Sequence, residues 1–180
     1  MSEEIGQSAA TSTVDRVKGV LRMEPGVFKE IADDTGATGQ ACVVFAVATL
    51  LGSLLALPAV LITGPLGFVA LAIMAGLFQL VARMFAGDGV PAYAGWLRAV
   101  LFASAPGALG VIPLLGTIVG AIFSVILQII AIRDVSGIST GAAVMTWIVA
   151  MMLPAMLVIV SIVAFGFSIL GTLGLGQLLN

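Results

Sequence analysis

ACVVFAVATLLGSLLALPAVLITGPLGFVALAIMAGLFQLVARMFA, residues 41–86, carries one charged side chain, Arg83, and its clearest turn signal is Thr63, Gly64 and Pro65. A bilayer core needs ~20 apolar residues at a helical rise of about 1.5 Å each. The stretch therefore divides into two spans, 41–62 and 66–86, joined by that triplet. Reading onward, the runs 96–112, 113–132 and 141–170 have the same character, the first of them only just long enough. The fold class expected is an all-α integral membrane protein with five transmembrane helices and a short amphipathic amino-terminal segment.

Composition agrees. The chain has 180 residues, of which 61% are hydrophobic and 9% charged, with a mean hydropathy of +1.23. These values lie far outside soluble globular usage. The net charge of −2 carries little information, and no basic patch suggests nucleic-acid binding. The polar-to-mixed stretch before residue 41 lacks the pattern of a secretory signal, so the first span is expected to stay uncleaved.

Basic residues set the expected orientation. Arg16, Lys18, Arg22 and Lys29 precede the first span, Arg83 and Arg98 flank the second connector, and Arg133 begins the fourth. The other connectors and the tail carry no charge. Lys and Arg are retained on the cytoplasmic side during insertion, which predicts a cytoplasmic amino terminus and a carboxyl terminus outside. The location implied is multi-pass, in the plasma membrane or a bacterial inner membrane.

Residues 1–13 read as a flexible tail. Over 14–38, Val14, Val17, Val20 and Leu21 recur at helical spacing among charged residues, Pro25 resets the chain, and Val27, Phe28 and Ile31 continue an apolar face. Two short amphipathic helices on the inner membrane surface are expected, with Arg16, Lys18, Arg22 and Lys29 near anionic headgroups. The membrane domain then occupies 39–170. Residues 171–180, Gly-rich and apolar, are expected at the outer interface.

Lipid gives helices no hydrophobic drive to associate, so close packing of small residues has to supply it. Ala72 with Gly76, and Gly116 with Gly120 extended by Ser124, mark spans two and four as the expected interior helices. Pro106 and Pro113 bracket a tight outer corner between spans three and four. Non-helical backbone at that depth requires protein or water to satisfy it. Pro154 sits midway along the last run, where a kink or tilt would absorb its excess length.

The chemistry available is limited. There is no His and only one Cys, Cys42, which removes imidazole and thiolate metal sites and His-based nucleophilic pairs. No catalytic residue, metal or cofactor is expected, and the chain is read as no enzyme. No ionisable group is expected at mid-bilayer, which disfavours a coupled transporter but leaves a passive pore open. Gln79 and Gln128 enter the spans, either as a structural clasp or, with Arg83 and Arg98, as lining of a polar vestibule. Arg83 and Arg133 suit topological anchoring. Arg98, following Tyr93 and Trp96, is the candidate for anionic lipid headgroups or for pairing with Asp88 or Asp134.

From Tyr93 to Ala143 the order of features resembles the Yip-domain family, named for Ypt/Rab-interacting proteins. Tyr93 and Trp96-Leu97-Arg98 open span three, Ala105-Pro106 lie within it, and Pro113, Gly116 and Gly120 open span four. The connector of residues 133–140 then leads into Ala142-Ala143. Pro25, Phe28 and Ile31 resemble the segment that precedes the first span in short bacterial members. The resemblance implies five spans, a cytoplasmic amino terminus and a role in organising membranes. The acidic Tyr-Gly-Pro-type motif of the relatives that contact Rab GTPases is absent, so that partner is not implied.

The function expected is a non-enzymatic scaffold that organises membrane or binds a partner, with a small passive channel or transporter subunit as the alternative. Membrane lipids, a membrane-protein partner or a homo-oligomer are the interactions foreseen.

Overall fold

The Ser12 hydroxyl accepts from the Asp15 amide at 3.2 Å and caps helix α1, Thr13–Leu21. This is the first element of a computed structural model that describes residues 12–54 and 57–178. Most of the tail expected over 1–13 lies outside the described residues. Gly26, at φ +79°, supplies the left-handed residue that lets the chain turn into α2, Val27–Asp33. The Asp34 carboxylate accepts from the Gly36 amide at 2.8 Å and directs the chain into α3, Ala37–Gly52. Then follow α4 (Leu57–Ala86), a 3₁₀ turn (Gly87–Gly89), α5 (Tyr93–Ala103), a 3₁₀ segment (Ala105–Val111), α6 (Leu115–Ser136) and α7 (Thr140–Leu178).

The described residues contain no strand. Among the described residues, four stretches are long and apolar enough to cross a membrane: Val60–Ala86, Tyr93–Val111, Leu115–Ser136 and Thr140–Phe165. The apolar helix α3 is shorter, at 16 residues.

The first helix boundary differs from the sequence reading. The break falls at Gly52-Ser53, and Thr63, Gly64 and Pro65 lie inside α4. A tertiary contact accounts for it. A side chain at Gly52 would run into the Gly107 carbonyl, and one at Gly110 would lie 2.9 Å from the Gly52 carbonyl oxygen. Only glycine lets the end of α3 meet the 3₁₀ segment this closely. Pro65 removes one helical hydrogen bond without ending α4.

The 3₁₀ segment forms the corner between α5 and α6, wedged between α3 and α6. It closes through Leu114, at φ +63° and ψ −68°, with the Leu115 amide donating to the Pro113 carbonyl at 2.7 Å. That is a γ-turn of the rarer, positive-φ hand, which is strained for an L residue. A Cβ at Gly120 would sit 2.7 Å from the Pro106 carbonyl oxygen, and one at Gly116 would strike the Leu109 carbonyl. The Gly116/Gly120 seam therefore packs on this corner.

The interior helix is α5, where every residue from Arg98 to Ala103 is buried, rather than α4 or α6. Along the apolar face of α4, Ala72 and Gly76 seat the Tyr93 ring. The Ala72 carbonyl accepts from the Tyr93 hydroxyl at 2.9 Å, and a Cβ at Gly76 would be 3.7 Å from that ring. Beyond Pro154, which lies within α7, every residue from Ala155 to Phe165 is exposed. The helix continues to Leu178 through most of the tail expected over 171–180.

The core lies at one end of the bundle, where α1 and α2 cap it. Val20, Phe28 and Ile31 are fully buried with Phe78, Trp96, Phe102, Leu127 and Ile132. This departs from the expectation that Phe28 and Ile31 face lipid. The apolar side of α2 is spent on α5 and α6, because a seven-residue helix gains more by filling a protein groove than by lying alone on a surface. All seven Lys and Arg belong to elements at this capped end.

Candidate functional site

Two constructions stand out: a charged clamp at the capped end and a polar cavity toward the opposite end.

The clamp is built on α2. Arg98 projects from α5, is 5% exposed, and donates from Nε to the Ile31 carbonyl at 3.1 Å. Its Nη1 donates to Thr38 Oγ1 at 3.2 Å, and its Nη2 donates to the Ala32 carbonyl. At the other end of α2 the Gly26 amide donates to Asp134 Oδ2 at 3.1 Å. Asp134 is itself paired with Arg133, whose Nη2 lies 2.9 Å from Oδ1. The helix thus has a carboxylate at its amino end and a guanidinium at its carboxyl end, each opposite the partial charge there. A buried guanidinium is tolerable because carbonyls and a hydroxyl take the place of water.

Arg16, 4% exposed, does the same for α1. Its Nη2 donates to Asp34 Oδ2, with Glu30 Oε1 3.5 Å away, and its Nη1 donates to Gln40 Oε1 at 2.9 Å. The Arg16 guanidinium and the Gly36 amide hold the Asp34 carboxyl below the usual carboxylate range. Lys18, Arg22, Glu24, Lys29 and Asp33 remain exposed on the outer side of this cap.

The cavity, about 410 Å³, lies between α3, α4, the 3₁₀ corner and α6. Glycines 52, 107, 110, 116 and 120 line it; at Gly52, Gly110, Gly116 and Gly120 a neighbouring carbonyl takes the place of a side chain, whereas Gly107 has open space beside it. Thr49, Ser53, Ser104, Thr117, Ser124 and Gln128 make its walls polar, and no charged residue lines it. At its deep end Trp147 Nε1 donates to Gln128 Oε1 at 2.9 Å. From there toward the cap, Leu127, Ala131 and Val135 are buried in the core.

The vestibule residues named from sequence are not gathered around one space. Gln128 lines the cavity. Gln79 donates to the Pro91 carbonyl at 2.9 Å near the cap, Arg83 is exposed at the end of α4, and Arg98 is committed to α2 rather than to headgroups or a carboxylate partner. Asp88 belongs to the Gly87–Gly89 turn. Trp96, in the first turn of α5, lies in the core with its indole N–H unpartnered. Ser124 faces the cavity, whereas Pro106 and Pro113 flank the corner.

The sequence reading places Arg16 near headgroups, whereas it is buried against Asp34 and Gln40; it takes Ser124 for packing alone, and misses Asp34 and the other hydroxyls of the cavity. The signal for the last was present. Thr49 and Ser53 stand four residues apart, and Thr117, Ser124 and Gln128 fall on one face of α6 at intervals of seven and four. Among the described residues no three His, Cys, Asp or Glu groups come together as a metal site would need. Comparison with protein-family models, with curated proteins and with solved structures finds no match.

Proposed function

We propose that the chain is a five-span membrane protein that acts without catalysis as a membrane-organising or partner-binding scaffold, the role its Yip-domain resemblance implies. In this reading α3 is the first span, its helical length of about 24 Å accommodated by local thinning of a ~30 Å core. The capped end, with all the basic residues, faces the cytoplasm.

One observation carries the proposal: α1 and α2 are bolted to the bundle by buried Arg16 and Arg98 instead of trailing from it. The exposed charges Lys18, Arg22, Glu24, Lys29 and Asp33 are thereby held in fixed positions, and a pre-ordered surface binds a partner without first losing conformational entropy. A photo-crosslinking residue at Arg22 or Lys29 in the full chain tests this in native membranes. The expected result is a discrete adduct with one membrane protein or a second copy, confirmed reciprocally from the partner. Adducts with lipid alone would contradict it.

The cavity favours a second reading, passage of a small neutral solute, for which the Gln128–Trp147 floor would have to open. Solute-driven swelling of proteoliposomes, absent from empty liposomes, would support that reading over the first.

A further inference from the structure

We infer that the cavity between α3, the 3₁₀ corner and α6 is a binding site for a neutral polyol, either free or as the glycerol-type headgroup of a lipid. This goes beyond the scaffold reading and does not depend on it.

The hydroxyls point to the ligand. Serine on a helix in apolar surroundings commonly returns its proton to the carbonyl one turn back. In this chain Ser136 donates to the Ile132 carbonyl, Ser161 to the Leu157 carbonyl at 2.8 Å and, in the cavity wall itself, Ser104 to the Leu101 carbonyl at 2.6 Å. The cavity residues Thr49, Thr117 and Ser124 also lie within helices, with carbonyls one turn back, yet among the described residues their side chains make no hydrogen bond to protein. Ser53 likewise makes none through its hydroxyl. Thr117 is exposed and Thr49, Ser53 and Ser124 are half-buried, so these unspent hydroxyls are open to a small molecule that enters the space.

The floor adds complementary donors. Gln128 uses Oε1 to accept from Trp147, which directs its Nε2, with two N–H groups, away from that bond and leaves it without a protein partner. Walls of hydroxyls that donate or accept, above an amide that donates, match a molecule bearing several adjacent hydroxyl groups. The absence of any charged lining residue selects against phosphates, carboxylates and amines, whose desolvation would go uncompensated. A space of about 410 Å³ admits a polyol of hexitol size.

Trp147 provides the readout. The full-length protein in phosphatidylcholine nanodiscs is titrated with glycerol, with sorbitol and, in a separate arm, with monoacylglycerol in the bilayer, while tryptophan emission is followed. Glycerol 3-phosphate is the charged control. A saturable change is expected with at least one neutral polyol and a weaker one with the phosphate. Response to the free polyols alone identifies a soluble ligand, and response to monoacylglycerol alone identifies a headgroup. Thr117→Val with Ser124→Ala removes two hydroxyls at nearly constant volume and should weaken binding at least tenfold without lowering thermal stability. Thr49→Val, on the facing wall, gives the same test should that pair fold poorly. No saturable response to any neutral polyol, tighter binding of glycerol 3-phosphate than of glycerol, or unchanged affinity in these variants would overturn the inference.

Discussion

Replacing Arg98 by Met should release α2 from the bundle while leaving the other helices folded. Three hydrogen bonds from a charged donor are lost, to Ile31, Ala32 and Thr38. Each contributes about 1.5–3 kcal/mol, and several kcal/mol return because a guanidinium no longer has to be desolvated. The net loss is roughly 3 kcal/mol, which is about a hundredfold in the local opening equilibrium. Phe28 and Ile31 still bury their side chains, and Gly26 still donates to Asp134, so the helix opens more often rather than vanishing. Hydrogen exchange on the full-length protein in nanodiscs reads this directly. Amides of α2 should exchange about a hundred times faster in Arg98→Met, with α6 unchanged. Arg98→Lys should fall between, since an ammonium cannot fork to two carbonyls and a hydroxyl from one position. Wild-type exchange rates for α2 in Arg98→Met would refute the clamp.

Gly120→Ala should destabilise the protein by about 1–3 kcal/mol, read as a lower thermal midpoint in detergent, because even a methyl group meets the Pro106 carbonyl; Gly39→Ala, where nothing lies within 4 Å, should be neutral or mildly stabilising. Asp34 has its folded pKa depressed, so its contribution is fully present above its unfolded value and lost as pH falls through the folded one. Protection of α1 and α2 from exchange should accordingly hold from neutral pH to about 4 and decline below, and Asp34→Asn should already be weakened at neutral pH and lack this part of the decline. Asp134→Asn should loosen the amino end of α2 at Gly26 more than its carboxyl end, seen as faster exchange of the first-turn amides.

Much of this architecture can be read in the sequence because a membrane helix declares itself by apolar length and by where its charges stop. The corner between Pro106 and Pro113 and the seam at Gly116 and Gly120 were legible for the same local reason, since proline and glycine restrict what the backbone near them can do. The end of α3 was not. Thr63-Gly64-Pro65 has the chemistry of a turn, but among apolar neighbours it stays helical, and the break is imposed by glycines more than fifty positions away, at 107 and 110. Arg98 was misread for a related reason. As one basic residue near a span boundary, beside Tyr93 and Trp96, it looks like a site for lipid headgroups or a partner of Asp88 or Asp134, and only its position against the carbonyls of Ile31 and Ala32 reveals a clamp. Its place inside the apolar run 96–103 was the available warning, because an arginine there needs a protein partner. Apart from Ser124, read for packing alone, the cavity hydroxyls escaped notice singly; their common face emerges only when α3 and α6 are set side by side across the 3₁₀ corner.

The most direct test of the five-span scaffold is the side of the membrane reached after α7. Matched fusions placed after Asn180 would carry either alkaline phosphatase, active only outside the cytoplasm, or a fluorescent protein that matures only within it, with crosslinking at Lys29 marking the cytoplasmic cap. Five crossings predict an active phosphatase and a dark fluorescent fusion. A silent phosphatase with a bright fluorescent fusion would leave α3 uncrossed, place both ends of the chain on one side, and contradict the proposed arrangement.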